Sequence, residues 1–158
     1  MNYRAIIPLA IGTYLATQGV PAQAGSDAVR IGLLGDFSQV AADVGGKGAL
    51  LAAEMAVEDY GGKAGGKPVK ILSADMQNKP EIALQIARKW FEVDDVDTIV
   101  DLPSSAVALA VNELARDKKK ILLITEATTT DLTGKACSPY TVHCADDVAA
   151  LSAGTAKA

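Results

Sequence analysis

Short apolar runs alternate with longer segments of helical period along this chain. Val29-Arg30-Ile31-Gly32-Leu33-Leu34 is a β-rich run and predicts a first strand. Over residues 49–60, Leu50, Ala53 and Val57 share one face while Glu54 and Glu58 point elsewhere, which predicts an amphipathic helix. Gly61-Gly62 ends it, and Lys63-Ala64-Gly65-Gly66-Lys67 reads as a turn. Residues 68–74 predict a second strand. Pro80 then suits the first helical position of a helix running to Phe91, with Ile82, Ile86 and Trp90 on one face. Trp90 lies at the far end of that helix from its leading loop and reads as core.

The same alternation repeats. Residues 98–102 form a third apolar run, which Pro103 closes because it has no amide proton to give a sheet. Ser104 or Ser105 is then the N-cap of a helix whose apolar stripe is Val107, Val111 and Leu114. Ile121-Leu122-Leu123-Ile124 is the core of a fourth strand, and so unbroken a run suits a strand covered on both faces. A hydroxyl-rich loop follows from Glu126 to Thr133. Thr141-Val142-His143 is a short fifth strand, and a helix begins near Asp146. Strand and helix alternate four times, which implies right-handed crossovers and an α/β fold: a doubly wound parallel sheet.

Ligands of such sheets sit beyond the carboxyl ends of the strands. The loops leaving those ends are residues 35–46, 75–79, 103–105 and 126–130, rich in hydroxyls, amides and small side chains. No nucleophile and base stand together in them, and His143, the one histidine, lies outside them. The inventory suits binding rather than turnover. Gly45-Gly46-Lys47-Gly48 fails as a phosphate loop, because Gly48 stands where Ser or Thr is needed. No cofactor and no metal ligand set is expected.

Composition narrows the setting. The 158 residues suit one domain. A net charge of −4 argues against nucleic acid as a partner. Residues 1–24 read as an export signal: a positive start at Arg4, a mostly apolar stretch, and a small-x-small cleavage site at Ala22-Gln23-Ala24. The alternative is a buried N-terminal helix. Exported, the chain would start near Gly25 and meet oxidising conditions, where Cys137 and Cys144 are candidates for a disulfide, the alternative being two free buried thiols.

The runs "VRIGLLGDFS", "GALLAAEMAVEDYGGKAGGKPVKILSADMQNKPEIALQIARKWFEVDDVDTIVDLPSSAVALAVNELA" and "TEATTTDLTGKACSPYTVHC" together resemble the N-terminal half of a type I periplasmic binding protein of the branched-chain amino-acid class. The likeness extends over about residues 29–144, nearly all of the chain after the export signal. It implies one lobe of a two-lobe trap (residues 25–158) that closes on a small amino acid, amide or related carboxylate. It also implies a periplasmic location and membrane subunits of an ABC importer as partners. By segment, the solute-holding serine matches Ser105, with Ser104 adjacent, and the threonine matches Thr128, beside Ala127; Asp36 and Phe37 lie where the first loop approaches the solute. Glu126 departs from the small residue usual there; it points away or meets an ammonium. The second lobe is not in the sequence, so the expectation is a truncated or split member. Two other readings stand beside this one: an exported α/β enzyme, and a sensory lobe that binds a membrane partner without solute.

Overall fold

A computed structural model describes residues 26–157, so the segment read as an export signal lies outside the described residues. The first strand is β1 (Val29–Gly35), followed by α1 (Gly46–Asp59). A two-residue strand, β2 (Lys63–Ala64), precedes β3 (Lys67–Asp75) and α2 (Pro80–Glu92). Then come β4 (Thr98–Asp101), α3 (Ser105–Lys118), β5 (Ile121–Ile124), β6 (Thr141–His143) and α4 (Val148–Lys157). A single 3-10 turn (Thr130–Leu132) interrupts the loop after β5.

These strands make one six-stranded sheet in the order β2-β3-β1-β4-β5-β6. Every pairing is parallel except that of β2 with β3. The expected turn at residues 63–67 is therefore a small hairpin. Gly65 and Gly66, both at positive φ (57° and 81°), supply the left-handed pair that a tight hairpin of matching twist requires. A two-residue ladder has no hydrophobic period, so the pattern could not announce it.

Alternation divides the sheet into two faces. One carries Leu34, Ile99, Leu122 and Ile124, packed with Ala83, Ala87, Trp90 and Phe91 of α2 and with Val107, Val111 and Leu114 of α3 in a continuous core. Trp90 is buried there, as its position on the helix predicted. Its ring lies over Gly32: a Cβ at that position would come within 2.5 Å of Trp90 Cε3. The other face carries Ile31, Val69, Ile71 and Val100. Against it α1 lays Ala53, Ala56 and Val57, leaving an apolar groove of about 360 Å³.

Coverage of that second face differs from the expectation for β5. Ile121 and Val142 are each about half exposed, 51% and 52%. α1 packs mainly on the β1 and β3 side, and α4 buries none of its residues. Among the described residues β5 is thus covered fully on one face only.

The contact of Trp90 with Gly32 yields a direct test. Gly32→Ala should lower stability by about 1–3 kcal/mol, the usual cost of overpacking a filled core. Urea denaturation followed by Trp90 fluorescence measures it; an unchanged midpoint would mean that the indole packs elsewhere.

Candidate functional site

The winding of the sheet chooses the site. From β1 the chain passes to β3 on one side and to β4 on the other, so the exit loops of β1 and β4 diverge and leave a crevice at the carboxyl rim. Asp36, Phe37, Ser104, Ser105, Ala127 and Thr128 all lie on loops or helix starts at this rim, because β1, β4 and β5 run parallel.

Each has its own surroundings. Asp36 is fully buried and occupied: its carboxylate accepts from the backbone N–H groups of Gln39 (2.8 Å), Ala41 (3.0 Å) and Ser38 (3.3 Å). It builds the loop rather than presenting itself to a ligand. Phe37 is half-buried, and its N–H donates to Asp75 (3.1 Å), which also accepts from Gln77 N–H (2.9 Å). Burial pushes the Asp75 carboxyl up, but the Ser38 hydroxyl and these two amides outweigh it and hold the group below its ordinary value.

Ser104 occupies the N-cap position of α3 in extended conformation, yet its hydroxyl makes no capping bond. The first bond of the helix runs from Ala108 N–H to the Ser104 carbonyl (2.7 Å), so the amides of Ser105, Ala106 and Val107 have no partner within the helix. Hydroxyls and amides therefore remain available together at the start of α3. Ala127 is buried, and its carbonyl accepts from His143 Nε2 at the end of β6. That bond requires the proton on Nε2. The histidine braces the rim loop, a role its strand position alone did not suggest.

Thr128 opens into a cavity of about 470 Å³ with Thr125, Glu126 and Pro103. Val40 and Val44 from the loop after β1, and Asp146 and Leu151 from the α4 end, complete the wall. Ser104 and Ser105 lie next to Pro103 in sequence but do not line this cavity. The Glu126 carboxylate rests on the backbone of Gly45, where a Cβ would come within 2.6 Å of Oε1. Gly45 is the N-cap of α1, a helix with no side-chain cap and no acid in its first turn. Glu126 thus supplies, from another loop, the negative charge that this helix start lacks.

Asp101 was not among the candidates, and the structure brings it forward. It is buried at 3% exposure, and Oδ2 has no hydrogen-bond partner. The Thr125 hydroxyl donates to Oδ1 (3.4 Å). Burial and then the neighbouring Glu126 carboxylate push the Asp101 carboxyl up to about 6, against the lowering effect of Thr125. Asp101 and Leu102 both take left-handed backbone (φ 84° and 64°), a combination that costs non-glycine residues energy and clusters at functional sites. No periodicity or motif marks such a pair of residues in advance.

The structure leaves Cys137 and Cys144 as free, exposed thiols, neither bridged nor buried. The extended strand β6 lies between them, against the short Cα separation that a disulfide needs. No group of acids, cysteines and histidine able to hold a metal ion occurs among the described residues.

Comparison with known proteins joins this geometry to a lineage. The sequence model described as periplasmic binding protein matches residues 28–158. The chain belongs to the periplasmic binding protein family. A crystal structure of a periplasmic binding protein from Burkholderia mallei is 43% identical over 77% of this chain and 33% of its own, with a TM-score of 0.74. A branched-chain amino-acid ABC transporter periplasmic ligand-binding protein from Burkholderia xenovorans is 44% identical over 82% of this chain and 36% of its own, TM-score 0.76. A solute-binding protein of an ABC transporter from Rhodopseudomonas palustris, solved with 3,4-dihydroxybenzoic acid, is 25% identical over 74% and 31%, TM-score 0.68. No curated protein sequence matches. The chain spans about a third of the length of these solved relatives, and its parallel sheet is that of a type I lobe.

The Asp101 carboxyl makes stability depend on pH with a definite sign. Its folded pKa lies above the ordinary 3.8, so the folded state holds the proton more tightly. The group's favourable contribution is complete below about pH 4 and is lost as pH rises through about 6. Asp101→Asn should therefore stabilise the protein by roughly 1–3 kcal/mol at pH 8 and by nothing at pH 4. Denaturant titrations at the two pH values test this; an equal effect at both would mean that the carboxyl is not perturbed.

Proposed function

We propose that this chain is the first, N-terminal lobe of an exported solute-binding component of an ABC importer, with a small amino acid or related carboxylate as its solute. In this reading residues 1–24 are an export signal cleaved near Ala24, and residues 25–158 act outside the cytoplasm. The membrane subunits of the importer are its partners, and catalysis is not part of its work.

The observation that carries the reading is the gathering of unspent donors at one rim. The Ser104 and Ser105 hydroxyls, the free amides at the start of α3, and Thr128 lie on neighbouring parallel strands' exits. Neutral donors of this kind satisfy a carboxylate without a buried counter-charge, and a helix start favours an anion. The acid at 126 would repel a carboxylate brought close to it, which favours the α3 side for that group, with Thr128 toward the rest of the solute.

A chimera gives the test. Residues 25–158 would be joined to the remaining two-thirds of the Burkholderia xenovorans relative, and amino acids titrated by calorimetry. Ser105→Ala should weaken binding of the preferred solute about tenfold, the loss expected for one hydrogen bond to a charged group. Affinity unaltered by Ser105→Ala and by Thr128→Ala alike would refute the assignment.

A further inference from the structure

Two residues of β6 reach back to the loop that follows β5. Thr141 and His143 are two apart and share the sheet face turned toward α3, with Val142 on the other. The Thr141 hydroxyl donates to Oδ1 of Asn112, a wholly buried residue of α3, whose Nδ2 donates in turn to the Ala136 carbonyl (2.8 Å). His143 Nε2 donates to the Ala127 carbonyl, 16 residues upstream. From the start of α4, the Val148 N–H donates to the Thr128 carbonyl (2.8 Å). The peptide groups on both sides of Thr128 thus have their carbonyls engaged. The Thr128 N–H and hydroxyl have no partner among the described residues. The Ala127–Thr128 peptide is planar and trans, so this N–H points opposite to the carbonyl that His143 holds. A donor on that carbonyl polarises the peptide and makes the N–H on its other side a stronger donor. Ala127 is 1% exposed, so without the imidazole its carbonyl is a buried acceptor with nothing to accept.

We propose that His143 is a positioning residue for the solute: by holding the Ala127 carbonyl it aims the Thr128 N–H at an acceptor oxygen of the solute and strengthens that bond. The inference rests on the solute-binding reading above and deepens it. It adds a backbone amide to the donors gathered at the rim, and it gives the one histidine of the chain a part in binding that it plays through a peptide group, without touching the solute. The Asn112 bracket serves the same end, because it fixes the far end of the loop at Ala136 while His143 fixes the near end at Ala127.

Two measurements on the isotope-labelled full chain test this. Long-range proton–nitrogen spectra of the imidazole report which nitrogen carries the proton. Nε2 is expected; a proton on Nδ1 alone overturns the inference without recourse to any variant. Leucine and 3,4-dihydroxybenzoate are then titrated into the unaltered chain, His143→Gln and His143→Leu, following the amides of Thr128 and Ser105. The glutamine amide carries a donor where Nε2 stands, and leucine carries none. His143→Leu should move the Thr128 amide proton upfield and weaken the tighter-bound probe about fivefold, the loss expected for one neutral hydrogen bond. His143→Gln should keep the affinity within about twofold. Equal losses in the two variants overturn the inference, since they mark a packing role that needs no donor. Equal affinity in all three chains overturns it as well and spares the solute-binding reading, because the Ser105 amide still responds. Silence at both amides with both probes removes that reading and the inference with it.

Discussion

The parallel pairing of β1 with both β3 and β4 is the constraint from which the rest follows. Seven residues of β1 register with β3 and four with β4, so the chain must wind outward in two directions from one strand. Parallel neighbours cannot be joined by tight turns; the crossovers from β1 to β3, β3 to β4 and β4 to β5 each carry a helix back along the sheet, and that from β5 to β6 a long loop with one 3-10 turn. All exits then fall at one end. The rim is not a feature added to the fold; it is where a sheet wound this way has its loose ends.

That constraint explains why most of the architecture could be read from the pattern. Unbroken apolar runs and a four-residue helical stripe are the consequences of burial, and burial is what the winding demands. The helix of residues 80–92 and the stripe Val107, Val111, Leu114 emerged where the pattern put them. Three features did not. α1 begins at Gly46 rather than Ala49, since Gly46-Lys47-Gly48 has no apolar period and two of its three residues are glycine, a poor helix former. The bare half of the second face escaped, because Ile121 and Val142 are apolar whether or not anything covers them. β2 escaped for want of length.

The rim itself was legible by position and not by role. A serine after a strand and a proline can be placed at a helix start, but whether its hydroxyl is spent on capping depends on a rotamer. Asp36 looked available in the sequence and is consumed by its own loop. Asp101 closes its strand and carries a buried oxygen without a hydrogen-bond partner, close to Gly35. His143 sits far from Ala127 in sequence, and only the closing of β6 onto β5 brings imidazole and carbonyl together. Roles of this sort arise from contacts across strands, which a linear pattern does not encode.

The left-handed corner at Asp101 and Leu102 has a consequence for the serines that follow it. The Leu102 amide is tied to the Leu34 carbonyl (3.2 Å), the Asp101 carbonyl accepts from Thr125 (3.1 Å), and the Leu102 side chain is wholly enclosed. A bend pinned from both flanking strands has no slack to lose. Ser104 and Ser105 are therefore aimed by the sheet and not by a loop that must first settle. Whatever meets them encounters a surface already in its final shape, and the entropy usually surrendered when a loop closes around a guest was surrendered when the chain folded.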